Sequence, residues 1–145
     1  MSKLPILSLC LALISNAYAI ENPILTKKSY SGYVAPGYNT AYECEVFAHK
    51  VVMTNTFGQL KYTTTKMIEL SGNVRAMLEN AVAGPFKSYT YPMDVGSTIY
   101  EGNLIISSGS YKNIRLGTKM GDNWSLENQA TGAYGLRLAL DDLCK

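Results

Sequence analysis

Residues 42–57, YECEVFAHKVVMTNTF, followed by Gly58-Gln59 and by residues 60–70, LKYTTTKMIEL, set the expected fold. The first run is rich in β-branched and aromatic residues, which favours a strand. Cys44, Val46 and Ala48 alternate with Glu43, Glu45 and Phe47, and then the alternation slips, so that Val51 and Met53 fall on the other parity. A bulge or bend near His49-Lys50 within a single strand would restore one continuous core face. Gly58-Gln59 supplies a turn, and Leu60, Tyr62, Thr64, Ile68 and Leu70 share one parity in a second strand. The two runs together predict an antiparallel hairpin.

Downstream of the hairpin, Val74, Met77, Leu78, Ala81 and Val82 fall at i, i+3, i+4, i+7 and i+8 and predict a helix over 73–83. Ser71 or Asn73 can cap its start, and Gly84-Pro85 marks its end. Residues 85–97, with Pro85, Tyr89, Tyr91, Pro92 and Gly96, read as a long loop. Strands are expected at 98–107 and 111–116, joined through Ser108-Gly109-Ser110, with the apolar Leu104-Ile105-Ile106 suited to a central strand. Residues 117–124 read as a loop. Residues 125–143 read as a helix weakened by Gly132 and Gly135, each costing roughly 1 kcal/mol relative to alanine if helical. The expected fold is therefore α+β, in the order β-β-α-β-β-α: a mainly antiparallel sheet of about four strands with two helices on one face.

Upstream, residues 20–41 carry Pro23, Gly32, Pro36 and Gly37 among tyrosines 30, 33 and 38, and read as an irregular N-terminal arm. Residues 1–19 have the build of a cleavable signal peptide. Lys3 precedes an apolar run from Leu4 to Ile14, and Ala17-Tyr18-Ala19 places the cut before Ile20. The run is shorter than the roughly 20 apolar residues that span a bilayer. Cys10 lies inside the run and follows the bulky Leu9, which argues against a lipoprotein cysteine. Residues 20–145 are thus expected to form a single exported globular domain, periplasmic or secreted, with no membrane span.

Two cysteines remain beyond the leader, Cys44 and Cys144, and an exported domain with one pair is expected to oxidise it. Closing a loop of that length, about 100 residues, is worth about 4.7 kcal/mol in the chain-entropy model. The spacing is not that of a C-x-x-C redox pair. The chain is 47% hydrophobic and 17% charged, which is globular rather than disordered composition. A net charge of +2 without a clustered basic run excludes nucleic acid as the main partner.

No catalytic residue is assigned. His49 is the sole histidine, it lies mid-strand beside Lys50, and no G-x-S-x-G elbow accompanies any serine. Glu43 and Glu45 share a strand face, and Glu45 has Glu69 and Glu101 as distant potential partners for acid–base chemistry. Zinc ligation needs more cysteine and histidine than the chain holds, no calcium loop or glycine-rich phosphate loop occurs, and no cofactor is expected. What stands out is tyrosine, with 11 in the chain and many in predicted loops. Tyr30, Tyr33, Tyr38, Tyr89 and Tyr91, flanked by Gly, Ser and Asn, have the composition of a binding surface. The expected function is a non-enzymatic exported binding or interaction module, of inhibitor or envelope-accessory type. Its expected partner is another envelope or extracellular protein, and its oligomeric state is left open. The alternative is a small exported hydrolase acting on cell-wall or surface polymers.

Overall fold

A computed structural model describes residues 21–35, 37–107 and 109–145. The expected signal peptide, 1–19, lies outside the described residues. Strands β1 (Leu25–Tyr30), β2 (Thr40–Val46), β3 (Lys50–Phe57) and β4 (Leu60–Met67) come first, followed by helix α1 (Val74–Ala81). Then come β5 (Phe86–Ser88), β6 (Ser97–Ser107), β7 (Ser110–Met120), β8 (Asn123–Asn128) and helix α2 (Thr131–Leu143). All eight strands join one antiparallel sheet in the order β4-β3-β2-β1-β6-β7-β8-β5.

This overturns the expected four-stranded sheet and its β-β-α-β-β-α order; the chain is mostly strand. Residues 42–57 form two strands, because the backbone reverses at Phe47–His49, where the Phe47 N–H donates to the Lys50 carbonyl at 2.8 Å. The parity slip is that reversal: Val46 and Val51 sit opposite each other on one core face. The expected irregular arm holds β1, which pairs with β2 on one side and β6 on the other. The expected loop at 85–97 contains β5, and the expected loop at 117–124 is the β7–β8 hairpin, turning at Gly121-Asp122. Ser125–Asn128, read as the weak start of a helix, belongs to β8. β6 is an interior strand between β1 and β7, as Leu104-Ile105-Ile106 suggests, but Ile105 and Ile106 lie at its exposed outer end, with Ile106 63% accessible.

Both helices lie on one face of the sheet. Leu25, Lys27, Tyr100 and Gly102 share that face; Leu78 of α1 packs against Gly102, and Asp141 of α2 bonds to Lys27 and Tyr100. Between helices and sheet lies the core of Leu25, Val46, Val51, Leu78, Leu116, Leu136 and Leu140, all essentially inaccessible to solvent. In α1 the buried residues are Val74, Leu78 and Ala81, the period-3.6 stripe expected of an amphipathic helix. Cys44 and Cys144 form a disulfide with Cα atoms 5.9 Å apart, tying the end of α2 to β2. No helix among the described residues is long and apolar enough to cross a membrane.

Gly132 and Gly135 are explained by helix packing rather than by local propensity. A Cβ at Gly132 would press into the Met77 carbonyl of α1, and one at Gly135 into the Met77 side chain. The absent side chains let α2 cross α1 closely.

Two outcomes are expected. The double variant Cys44→Ala/Cys144→Ala should lose about 2–5 kcal/mol of unfolding free energy in urea titrations relative to the oxidised protein. Gly132→Ala, which helix propensity alone would make stabilising by about 1 kcal/mol, should instead destabilise by roughly 1–3 kcal/mol because the helices must move apart.

Candidate functional site

Antiparallel order brings the ends of alternate strands together. Tyr30 ends β1, Thr40 starts β2, Phe57 ends β3, Leu60 starts β4, Ser88 ends β5 and Ser97 starts β6, all at one end of the sheet. The loops at 31–39 and 89–96 therefore open at that end, and with them come all five tyrosines singled out from the sequence.

Their environments differ. Tyr33 is 91% exposed and Tyr38 67%, both in the β1–β2 loop, while Tyr30 and Tyr91 are about half exposed. Tyr89 is committed to the scaffold: its hydroxyl donates to Glu127 Oε2 at 3.0 Å, and Lys87 Nζ sits 4.7 Å above its ring. Three further exposed side chains belong to the same end and were missed as surface residues: Phe57, Leu60 and Tyr62. They flank the Gly58-Gln59 turn, which was their one sequence signal. Their parity suggested a core face, but no helix reaches this side of the sheet. Beside them, across β1, β2 and β3, runs a groove of about 400 Å³ lined by Ser29, Thr40, Tyr42, Asn55, Phe57 and Tyr62.

Backbone contacts brace the loops that carry the rings. The backbone of Gly32 packs so closely on Asp94–Gly96 that a Cβ would not fit, and Gly121 N–H donates to the Gly96 carbonyl at 2.6 Å. Gly58, at φ +57°, donates its N–H to the Asn39 carbonyl at 2.8 Å, joining the β3–β4 turn to the β1–β2 loop. The left-handed conformation there favours glycine.

Under α2 a polar network ties the helix to the sheet. Arg137, 4% exposed, donates through Nη1 to the Leu116 and Asn128 carbonyls at 2.7 Å and through Nη2 to Glu127 at 3.1 Å. Its guanidinium lies 4.7 Å from the Trp124 ring centre. Burial pulls its pKa down, opposed by the charge of Glu127. Asp141 accepts from Lys27 Nζ at 2.6 Å and from the Tyr100 hydroxyl at 3.0 Å. Burial first, and then the charge and hydrogen bond of Asp141, push the Tyr100 phenol well above its ordinary pKa. Burial likewise raises that of Tyr42, whose hydroxyl donates to the Cys144 carbonyl at 2.6 Å.

The acid–base candidates lie elsewhere. His49 Nδ1 meets Glu69 at 3.1 Å at the opposite end of the sheet, with the two side chains 69% and 84% exposed. Glu43 and Glu45 share the face away from the helices; Glu43 is paired to Lys28 at 2.6 Å and Glu101 to Arg115 at 3.0 Å. The hydrogen bond from Lys28 to Glu43 holds the Lys28 pKa above its ordinary value. Besides the groove, an apolar hollow of about 230 Å³ lies at the start of α1 among Ile24, Ala48, Leu70, Val74, Leu78 and Leu104. A third hollow, between the helices, is lined by Asn73, Met77, Asn80 and Gly132. None of these three is lined by a carboxylate or by His49. Among the described residues no group of three or more His, Cys, Asp or Glu side chains comes together to hold a metal ion.

Because folding raises the Tyr100 pKa, its stabilising contribution is complete below the unfolded value of about 10 and is lost as pH rises above it. Unfolding free energy should therefore decline above pH 10, by up to about 1.4 kcal/mol per pH unit for each such phenol. Tyr100→Phe should flatten that decline in urea titrations between pH 9 and 12, while weakening the protein at neutral pH through loss of the bond to Asp141. No protein-family model, curated protein or solved structure matches this chain.

Proposed function

We propose that the chain is an exported, non-enzymatic binding module, of inhibitor or envelope-accessory type, which holds another envelope or extracellular protein on the tyrosine-bearing end of its sheet. The observation that carries this reading is the exposure of Tyr33, Tyr38, Tyr30 and Tyr91 at one end, beside Phe57, Leu60 and Tyr62. A soluble surface gains nothing by exposing so many large rings, and contiguous apolar exposure marks interaction sites. Tyrosine suits such a site, since its rigid ring gives contact area at small entropic cost and its hydroxyl stays hydrogen-bonded. The braces at Gly32, Gly58 and Gly96 support the same reading, because ordered loops lose less freedom on binding. Export is supported by the leader-like residues 1–19 and by the Cys44–Cys144 bridge, a bond that persists in oxidising compartments.

The test is a pull-down from envelope extracts with the oxidised protein and with the double variant Tyr33→Ala/Tyr38→Ala. Anchoring rings in a binding surface cost about 2 kcal/mol each when truncated, so the specifically retained protein should fall at least tenfold. Both positions are highly exposed, and the variant should keep its melting temperature. Equal capture by variant and wild type would remove the tyrosines from the site.

A further inference from the structure

β4 forms one rim of the sheet, and its exposure is complete: all eight residues, Leu60–Met67, are exposed, on both faces. It pairs with β3 from end to end without a register shift and contains neither glycine nor proline. The opposite rim, β5, has three residues. Proteins ordinarily blunt a rim strand by making it short, bulged, proline-bearing or covered, since its free N–H and C=O groups template pairing with another strand. β5 is blunted by its length. β4 carries only Lys61 and Lys66 as guards, and among the described residues no strand pairs with its outer edge.

The hairpin geometry tells which groups face outward. A two-residue turn at Gly58-Gln59 closes on Phe57 and Leu60 as a hydrogen-bonded pair, so the even-numbered residues of β4 bond to β3. Ile68, which donates its N–H to the His49 carbonyl at 3.1 Å, continues that alternation. Lys61, Thr63, Thr65 and Met67 therefore direct their backbone groups away from the sheet.

We propose that this outer edge pairs antiparallel with β4 of a second copy, about a two-fold axis through Thr64, making one continuous sheet of two chains. Two-fold symmetry places each residue opposite a partner at a constant summed position, and a bonded pair requires two outward residues. One register engages all four of them: Lys61 opposite Met67, and Thr63 opposite Thr65. Thr64 then meets itself, and sliding by two residues in either direction strands outward groups. The side chains agree with this register. On the helix-bearing face Tyr62 stands opposite Lys66 of the second copy, a cation against an aromatic ring. Hydroxyl faces hydroxyl at Thr64 and at Thr63–Thr65, a favourable cross-strand pairing. Lys61 lays its alkyl stem along Met67 of the second copy, and no two lysines stand opposite each other. The two guarding charges thus tolerate this one partner while discouraging others.

This inference stands apart from the tyrosine-end reading, and its test is separate. Sedimentation of the oxidised protein at about 100 μM should give twice the chain mass. Thr64→Lys, a change at an exposed position, should weaken association by about tenfold or more by setting like charges on the axis. Cysteine substitutions read the register directly. Thr64→Cys should cross-link to itself under mild oxidation, as opposed Cα atoms of such a pair lie about 4.5 Å apart. Thr63→Cys alone should not, but Thr63→Cys mixed with Thr65→Cys should. Cys44 and Cys144 are bonded to each other and buried, so they do not compete, and Cys10→Ser is carried in every one of these variants. A wild-type monomer at that concentration would overturn the proposal, as would cross-linking of Thr63→Cys alone as readily as of Thr64→Cys.

Discussion

Two helices have to cover eight strands, and they are too narrow to do so. Eight strands at about 4.8 Å spacing make a sheet roughly 34 Å wide, while two helices side by side span about 20–24 Å. The helices therefore centre on β1, β6 and β7, and the burial follows them: Leu25, Tyr100, Ile114 and Leu116 are closed off, while β4 is exposed throughout. Everything distinctive about the surface follows from that mismatch of width. The bare rim, the groove across the ends of β1, β2 and β3, and the uncovered Phe57, Leu60 and Tyr62 all lie where the helical layer stops.

Holding so wide a sheet on so narrow a cover requires fastening as well as packing. The Cys44–Cys144 bridge pins the far end of α2 to β2. Arg137 reaches from the same helix to the carbonyls of β7 and β8, and Asp141 gathers Lys27 and Tyr100 from β1 and β6. A buried guanidinium is costly unless all its donors and its charge are met. Glu127 meets the charge, it and two carbonyls accept three hydrogen bonds, and Trp124 and Tyr134 lie against the guanidinium within 6 Å. The end of the chain from α2 to Cys144 thereby grips five of the eight strands through three side chains, Arg137, Asp141 and Cys144, whose partners are far apart in sequence.

That distance explains what the sequence could and could not disclose. Helix α1 was legible because its apolar stripe is local, and the cysteine pairing because only one pair was available. β1 reads as part of an irregular arm because Pro23, Gly32, Pro36 and Gly37 surround it; the strand is held by partners distant in sequence, Lys27 meeting Asp141 and Lys28 meeting Glu43. The reversal at Phe47–His49 has neither glycine nor proline, so the parity slip was the whole signal, and a slip alone reads equally well as a bulge. β8 is split between an expected loop and an expected helix because Asn123 to Asn128 is too short to show alternation against the strong stripe of Leu136, Leu140 and Leu143. The five tyrosines were visible as residues. Their meeting at one end depends on counting the strands correctly, since one strand more or less would send the 89–96 loop to the other end.

The two proposed surfaces share the uncovered β3–β4 hairpin, and geometry fixes their relation. Antiparallel pairing about Thr64 sends the tyrosine-bearing end of one copy toward the His49–Glu69 end of the other. Each copy would thus present its rings in the opposite direction, and two ligands bound to one dimer would not touch. Tyr62 stands at the junction, lining the groove with one flank and facing the lysine of the second copy along the rim. A pair of divergent sites on one rigid sheet suits bridging between two partners better than gripping one. Such an arrangement gains in avidity only where both partners are held at the sheet's own span.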